Sequence, residues 1–251
     1  AITLLTFEKP ADWMDSGRVE AMRARLGACG IVWVPLQYHK RPPVLSTVWD
    51  VFAGIAHARR IARQSNIRIV HARGYVPSLI ALAARRVTGA AFLFDMRGFW
   101  VDEKVEAGHW PAGGALYRIG KWWERHFYAA ADAVVSLTNA GVRAMPELGV
   151  SPRAHVPIEV IPTCADLQRF SPAAKDAALA EQLGVAGAPV IGCVGTMGNW
   201  YLRQEMIDWL AALTGRWPEL RCLIVTRDDH ETLRRDLQAA QRLVIVTGHD
   251  Q

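Results

Sequence analysis

The sequence predicts an α/β protein made of two successive domains, each a parallel sheet flanked by helices. Three observations carry that reading. Short apolar runs of strand length alternate with helix-period segments along the whole chain. Between Ile67 and Phe94 the order strand, helix, strand returns within one βαβ unit, whose two loops leave the same edge of a sheet. After a stretch punctuated by Ala, Gly and Pro, from Ser171 to Ala188, the same rhythm restarts at Val190.

The elements follow in order. Residues 1–7 read as a buried strand, left through Glu8-Lys9-Pro10. A helix is expected over 16–26, with Val19, Met22 and Leu26 facing inward, and a strand over 31–36. The basic loop holding His39, Lys40 and Arg41 ends in Pro42-Pro43, which bars helix. Ser46 is expected to cap a long amphipathic helix reaching Ser65, with Val48, Phe52, Ile55 and Ile61 inward and His57, Arg59, Arg60 and Arg63 outward.

A buried strand over 67–70 then runs into His71-Ala72-Arg73-Gly74-Tyr75, a helix over 76–87 closes at Gly89, and a strand over 91–94 empties into Asp95-Met96-Arg97-Gly98-Phe99-Trp100. Past a Gly/Pro loop comes a helix over 115–130, then a strand over 132–138, whose Thr138-Asn139 caps a helix over 140–148, and a short strand over 158–162. The second domain reads strand 190–194, helix 203–216, strand 221–226, helix 229–240 and strand 243–246. The first domain with its crossover thus covers 1–171. The second begins at 188 and is expected to be incomplete.

Composition sets bounds on function. The net charge of +5 over 251 residues suits an anionic ligand or surface and is too weak to argue for nucleic acid. Cys29, Cys164, Cys193 and Cys222 have no metal-ligand spacing, so they read as reduced thiols and no metal is expected. No signal peptide and no run of about 18 apolar residues is present, so a cytoplasmic setting is expected. The chain lacks an initiator Met and opens inside a strand, which leads to the expectation that it is part of a longer protein.

Three stretches could carry chemistry. Ligands of open α/β sheets sit at the carboxyl edge, where Arg73, Asp95, Arg97 and Glu103 could grip a charged substrate. Alternatively Asp95 and Arg97 brace the loop as a salt bridge and Trp100 closes the core. Gly195-x-x-Gly198 after a strand and before a helix either surrounds a phosphate with backbone N–H groups or is a plain turn. Helix 115–130 interleaves Arg118, Lys121 and Arg125 with Trp122, Trp123, Phe127 and Tyr128. With Arg59 and Arg60 it suits an anionic membrane surface, or it packs its aromatics inward.

Two further motifs extend this reading. Ile161-Pro162-Thr163-Cys164-Ala165-Asp166 followed by Arg169-Phe170-Ser171-Pro172 resembles the crossover of the retaining GT-B glycosyltransferases of family 4, whose usual form is I-P-N-G-V-D and then R-F-x-P. Residues 190–195 resemble the strand and glycine loop that open that family's donor domain, and Ala131-Asp132-Ala133-Val134-Val135-Ser136 falls in the matching order. His71-Ala72-Arg73-Gly74-Tyr75 and Phe94-Asp95-Met96-Arg97-Gly98 resemble a bacterial branch carrying H-A-R-S-Y and F-D-M-R-G. The resemblance covers nearly the whole chain.

It implies a GT-B fold and retaining transfer of a hexosyl group from a nucleotide-diphosphate sugar to a cell-envelope or polysaccharide acceptor, glycan or lipid-linked, at the inner face of a membrane. The nucleotide sugar would be a substrate, and no cofactor or metal is implied. Carried onto this chain, Asp95, Arg97 and Glu103 would be catalytic, Arg73 and Tyr75 would lie on the acceptor side, and Gly195, Thr196, Gly198, Arg203 and Arg227 would meet the donor. Thr163-Cys164-Ala165 replaces the family's Asn-Gly-Val, and Thr196 and Tyr201 stand where an Arg and a Lys are usual. The paired-glutamate motif E-x7-E would fall beyond Gln251. Two alternatives stay open: a non-catalytic nucleotide- or partner-binding module, and a nucleotide-sugar epimerase.

Overall fold

A computed structural model describes residues 1–42, 44–197 and 202–237, together with the backbone of 243–247. The chain divides into two compact units, Ala1–Cys164 and Ala165–Gln251. The division falls ahead of the expected end of the first domain at Ser171. The turn that Asp166 closes, accepting from the backbone N–H of Gln168 at 3.0 Å and of Arg169 at 3.2 Å, belongs to the second unit.

The first unit runs β1 (Ile2–Glu8), α1 (Pro10–Met14), α2 (Ser16–Ala28), β2 (Ile31–Gln37), α3 (Leu45–Gln64), β3 (Ile69–Arg73), α4 (Tyr75–Thr88), β4 (Ala91–Asp95), α5 (Trp100–Glu106), α6 (Ala115–Ala130), β5 (Ala133–Ser136), α7 (Asn139–Glu147) and β6 (Ile158–Val160). Strand β1 pairs with β2, and β3-β4-β5-β6 form a second sheet in that order, all parallel. The core lies between the four-stranded sheet and its helices, with Phe92, Phe94, Phe127, Tyr128, Val134 and Met145 sealed from solvent. Phe94 meets Tyr128 edge-on at 5.1 Å. Asp132 ties this layer together: it accepts from the Phe92 N–H at 2.9 Å and pairs with Arg85 at 3.0 Å and Arg153 at 3.3 Å. One carboxylate thereby joins the C-terminal turn of α4, strand β4 and the entry to β5.

Helix α3 differs from its expected orientation. Its N-cap is Val44, and Ser46 lies buried inside the helix with Asp50, Gly54 and Ala62. Val48 and Phe52, expected inward, are 46% and 66% exposed. Two contacts set this rotation. Asp50 accepts from the His39 backbone N–H at 2.9 Å and bonds the His39 ring at 2.6 Å. Gly54 brings α3 close enough to α4 and β1 that a Cβ there would lie 2.5 Å from Ile80 Cδ1 and 3.0 Å from Phe7 Cζ. A stripe of small and polar residues permits that approach where the apolar stripe would not.

Met22, also expected inward, is 41% exposed on α2. Strand β3 is an edge strand rather than a buried one, and Ile69 faces solvent.

The second unit runs α8 (Ala177–Gln182), β7 (Val190–Val194), α9 (Arg203–Arg216), β8 (Arg221–Thr226), α10 (His230–Asp236) and β9 (Leu243–Thr247), with a parallel sheet ordered β7-β8-β9. Met197, Ile207, Leu210, Ile224, Leu233 and Leu237 form its core. Strand β7 is at the sheet edge, and Val194 is exposed. Residues 238–240, the expected end of α10, lie outside the described residues. All four cysteines are free thiols, and only Cys222 is buried.

Candidate active site

Strands β3 and β4 end in register, with Arg73 opposite Asp95. Their two loops are therefore neighbours, joined by the Gly74 N–H donating to the Asp95 carbonyl at 2.8 Å. Between them opens a cavity of about 370 Å³, lined by Arg73, Gly74, Tyr75, Val76, Pro77, Met96, Arg97, Gly98, Trp100 and Glu103. Four of the five residues assigned to chemistry or acceptor from the sequence line it: Arg73, Tyr75, Arg97 and Glu103. Gly74, at φ +91°, makes the turn into α4, whose first turn has no side-chain cap.

Asp95 does not line the cavity. Its carboxylate is 13% exposed and sits 3.4 Å from His71 Nε2 and 3.9 Å from Arg73 Nε. The bracing salt bridge to Arg97 is thus not formed; Asp95 pairs within the two strand ends instead. Arg97 is exposed and holds a left-handed backbone at φ +62°, which a side chain with Cβ adopts at a cost. Among the described residues no hydrogen bond or ion pair engages its guanidinium. The loop around it is pinned: Met96 N–H donates to Val135 O at 3.1 Å and Gly98 N–H to Met96 O at 2.8 Å. A Cβ at Gly98 would collide with the Glu103 carboxylate, so glycine lets that carboxylate fold back over the loop.

Beneath the cavity lies a charged cluster that the sequence reading missed. Tyr75 is buried among Phe94, Trp100 and Phe127. Its hydroxyl donates to Glu124 and stands 3.1 Å from the Gly98 carbonyl. Glu124, sealed from solvent, pairs with Lys121, which reaches Asp102 at 2.9 Å. Glu124 Oε2 has that ammonium as its ion partner and no well-aligned hydrogen bond among the described residues. Burial pushes the Tyr75 hydroxyl far above the ordinary tyrosine range, and the Glu124 charge adds to it. Burial pulls Lys121 down, but its bonds to Glu124 and Asp102 outweigh that and hold it above its ordinary value. The available signal was spacing: Lys121, Glu124 and Tyr128 fall three and four residues apart, on the face that Phe127 and Tyr128 bury.

Lys121 is therefore not on a membrane-facing surface: it is itself buried and neutralises the sealed Glu124 and the half-buried Asp102. Trp123 packs against the core, while Trp122 is exposed and stacks on His126. Arg125 is exposed. Arg59, Arg60 and Arg63 line a groove of about 420 Å³ on α3, and the same helix exposes Leu45, Trp49 and Phe52. No helix among the described residues is long and apolar enough to cross a membrane. None of the described His, Cys, Asp and Glu residues form a group of three or more suited to a metal ion.

In the second unit, Gly195 turns the chain at φ +126°, and its N–H donates to Val225 O at 2.9 Å. That amide extends the sheet, so any close approach at Gly195 relies on its missing side chain. Asp228 occupies the next positions, accepting from Thr196 Oγ1 at 2.9 Å and from the Met197 N–H at 2.7 Å. The Met197 amide foremost, with Thr196, holds the Asp228 carboxyl below its ordinary value. Arg203 pairs with Asp236, and Arg227 is exposed. Gly198 and Tyr201 lie outside the described residues.

Residues 2–164 match the family model described as a glycosyl transferase 4-like domain. A GDP-mannose-dependent alpha-mannosyltransferase of Mycobacterium tuberculosis is 26% identical over 183 residues, 70% of this chain and 45% of its own. The chain thus spans less than half the length of that relative. Sucrose-phosphate synthase of Thermosynechococcus elongatus aligns with a TM-score of 0.67 and 14% identity, over 100% of this chain and 71% of its own. HepE of Anabaena, solved with UDP and glucose, aligns with a TM-score of 0.62 and 15% identity, over 98% of this chain and 69% of its own. The shared fold is GT-B. The family match is to a transferase domain and does not favour the binding-module or epimerase alternatives.

Proposed function

The chain belongs to the glycosyl transferase 4-like family, and from that premise we propose that it serves to move a hexosyl group from a nucleotide-diphosphate sugar to a glycan or lipid-linked acceptor, with retention. The observation that supports this most is the cavity at the carboxyl edge of the family-matched unit, where Arg73, Tyr75, Arg97 and Glu103 meet. In this reading the cavity takes the acceptor. Glu103, a carboxylate at the cavity wall, accepts the acceptor hydroxyl. The two arginines hold the rest of the molecule, and Asp95 positions Arg73.

The second unit takes the donor. Gly195, Thr196 and Gly198 would meet the diphosphate through their backbone, with Arg203 and Arg227 as the cations that offset its charge. Thr196 and Arg203 then exchange Asp228 and Asp236 for the phosphates. The neutralisation is done by protein groups, without a metal.

The setting is polysaccharide or cell-envelope synthesis, with the protein peripheral at the inner membrane face. The arginines and exposed aromatics of α3 support the contact with an anionic bilayer.

The test is turnover. The complete protein should hydrolyse or transfer from a nucleotide sugar, and Arg97→Ala should abolish turnover with the fold intact. Full turnover by a folded Arg97→Ala protein removes Arg97 from the site.

A further inference from the structure

We infer that the acceptor is acidic: the cavity recognises an oxyanion, carboxylate or phosphate, on a sugar-sized molecule through Arg73 and Arg97. This rests on the cavity being the acceptor site.

Three observations carry it. First, two arginines from different strand ends line one cavity of about 370 Å³, room for a monosaccharide with a charged substituent. Second, the Arg97 side chain has no partner among the described residues, although its backbone holds a left-handed conformation at φ +62°. Glycine or asparagine would meet that conformation at less cost, so the backbone does not call for arginine. A positioned, unpaired guanidinium at a cavity wall is suited to a planar or tetrahedral oxyanion, which it can bind with two parallel hydrogen bonds.

Third, among the described residues the protein's own carboxylates leave Arg97 unpaired and hold Arg73 only through the 3.9 Å contact to Asp95. Asp95 is withdrawn outside the cavity, with His71 and Arg73 as partners at 3.4 and 3.9 Å. Glu103 is the one acidic residue of the cavity wall, and its carboxylate folds toward Gly98. The wall therefore offers two cations for the anionic group and one carboxylate for a hydroxyl. A neutral sugar would satisfy Glu103 and leave Arg97 unpaired. A sugar acid or sugar phosphate satisfies both.

Saturation-transfer NMR on the full chain tests this with three probes: methyl glucoside, methyl glucuronide and glucose 6-phosphate. Charge-assisted hydrogen bonds predict that at least one charged probe binds about tenfold or more tighter than the glucoside. The glucuronide and the phosphate ester tell the two anion sources apart. Arg97→Gln and Arg73→Gln should each lose that preference, while Arg25→Gln, exposed on α2, should keep it. Equal binding of the glucoside, no binding of either charged probe, or an unchanged preference in folded Arg97→Gln overturns the inference. The readout needs no turnover, so it is separable from the transferase reading. A protein that turns over nucleotide sugars yet prefers the glucoside overturns only the acidic acceptor. One that binds glucuronide without turnover overturns only the transferase.

Discussion

At the scale of single residues the site is built on a conformation that its side chain resists. Arg97 at φ +62° carries a steric cost of about 1–2 kcal/mol that glycine would not. Glycine in turn adds unfolded-state entropy of about 0.4–1 kcal/mol. Arg97→Gly is therefore expected to be as stable as the parent or about 1 kcal/mol more stable, while losing acceptor-dependent turnover. Urea unfolding beside an activity assay checks it; a variant that is clearly less stable would mean Arg97 braces the loop after all.

The buried Tyr75 gives a second expectation. Its hydroxyl stays protonated in the fold well above the ordinary value of 10.0, as does that of Tyr128, both chiefly through burial. Above pH 10.0 the unfolded tyrosines ionise and the folded ones do not, so stability is present below that pH and falls as pH rises past it. Each such group contributes about 1.4 kcal/mol per pH unit to that fall. Lys121 acts in the same direction from its own ordinary value of 10.5 upward. Tyr75→Phe should make the alkaline loss shallower in urea midpoints taken on both sides of pH 10.0. Parallel curves for the variant and the parent would show that the tyrosine does not carry it. The strand ends with Arg73, Asp95 and Arg97 were legible in the sequence because they follow apolar runs of clear length. Glu124 and Lys121 were not, because a charged pair on an aromatic helix reads as surface until the helix is rotated into place.

At the scale of elements, the position of α3 depends on an absent side chain. Gly54 sits where a Cβ would press on Ile80 and Phe7, and those contacts join α3 to α4 and β1. Overpacking of this kind costs about 1–3 kcal/mol, so Gly54→Val should destabilise the chain by that order in urea unfolding. Unchanged stability would mean that α3 shifts freely over α4. The small, polar stripe of Ser46, Asp50, Gly54 and Ala62 buries itself because His39 and α4 demand it. Periodicity alone selected the larger apolar stripe with Val48 and Phe52. The same rotation leaves Leu45, Trp49 and Phe52 in solvent in the N-terminal half of α3, with the arginines in its C-terminal half.

That exposed face matters for the molecule as a whole. The chain carries a net charge of +5, and α3 gathers three arginines in its C-terminal turns while its exposed apolar residues lie in its N-terminal half. Each basic residue near an anionic bilayer is worth about 1 kcal/mol, so removing Arg59, Arg60 and Arg63 together should weaken vesicle binding on the order of 100-fold. Flotation with phosphatidylserine vesicles should show salt-sensitive association that this triple glutamine variant loses. No association by the parent protein sets the bilayer contact aside.

The two α/β rhythms, the parallel pairing, the family and the two loops that carry the arginines can all be read from the order of residues. Those features are local: strand and helix periods and short motifs need no partner to be read. Which side chains are engaged, and by what, follows from packing. It withdrew Asp95 from Arg97, set Asp228 against the second unit's glycine turn, turned α3 onto its glycine, and buried a lysine among carboxylates. Each of those outcomes depends on groups distant in sequence meeting at hydrogen-bonding distance, and one-dimensional spacing does not encode such meetings.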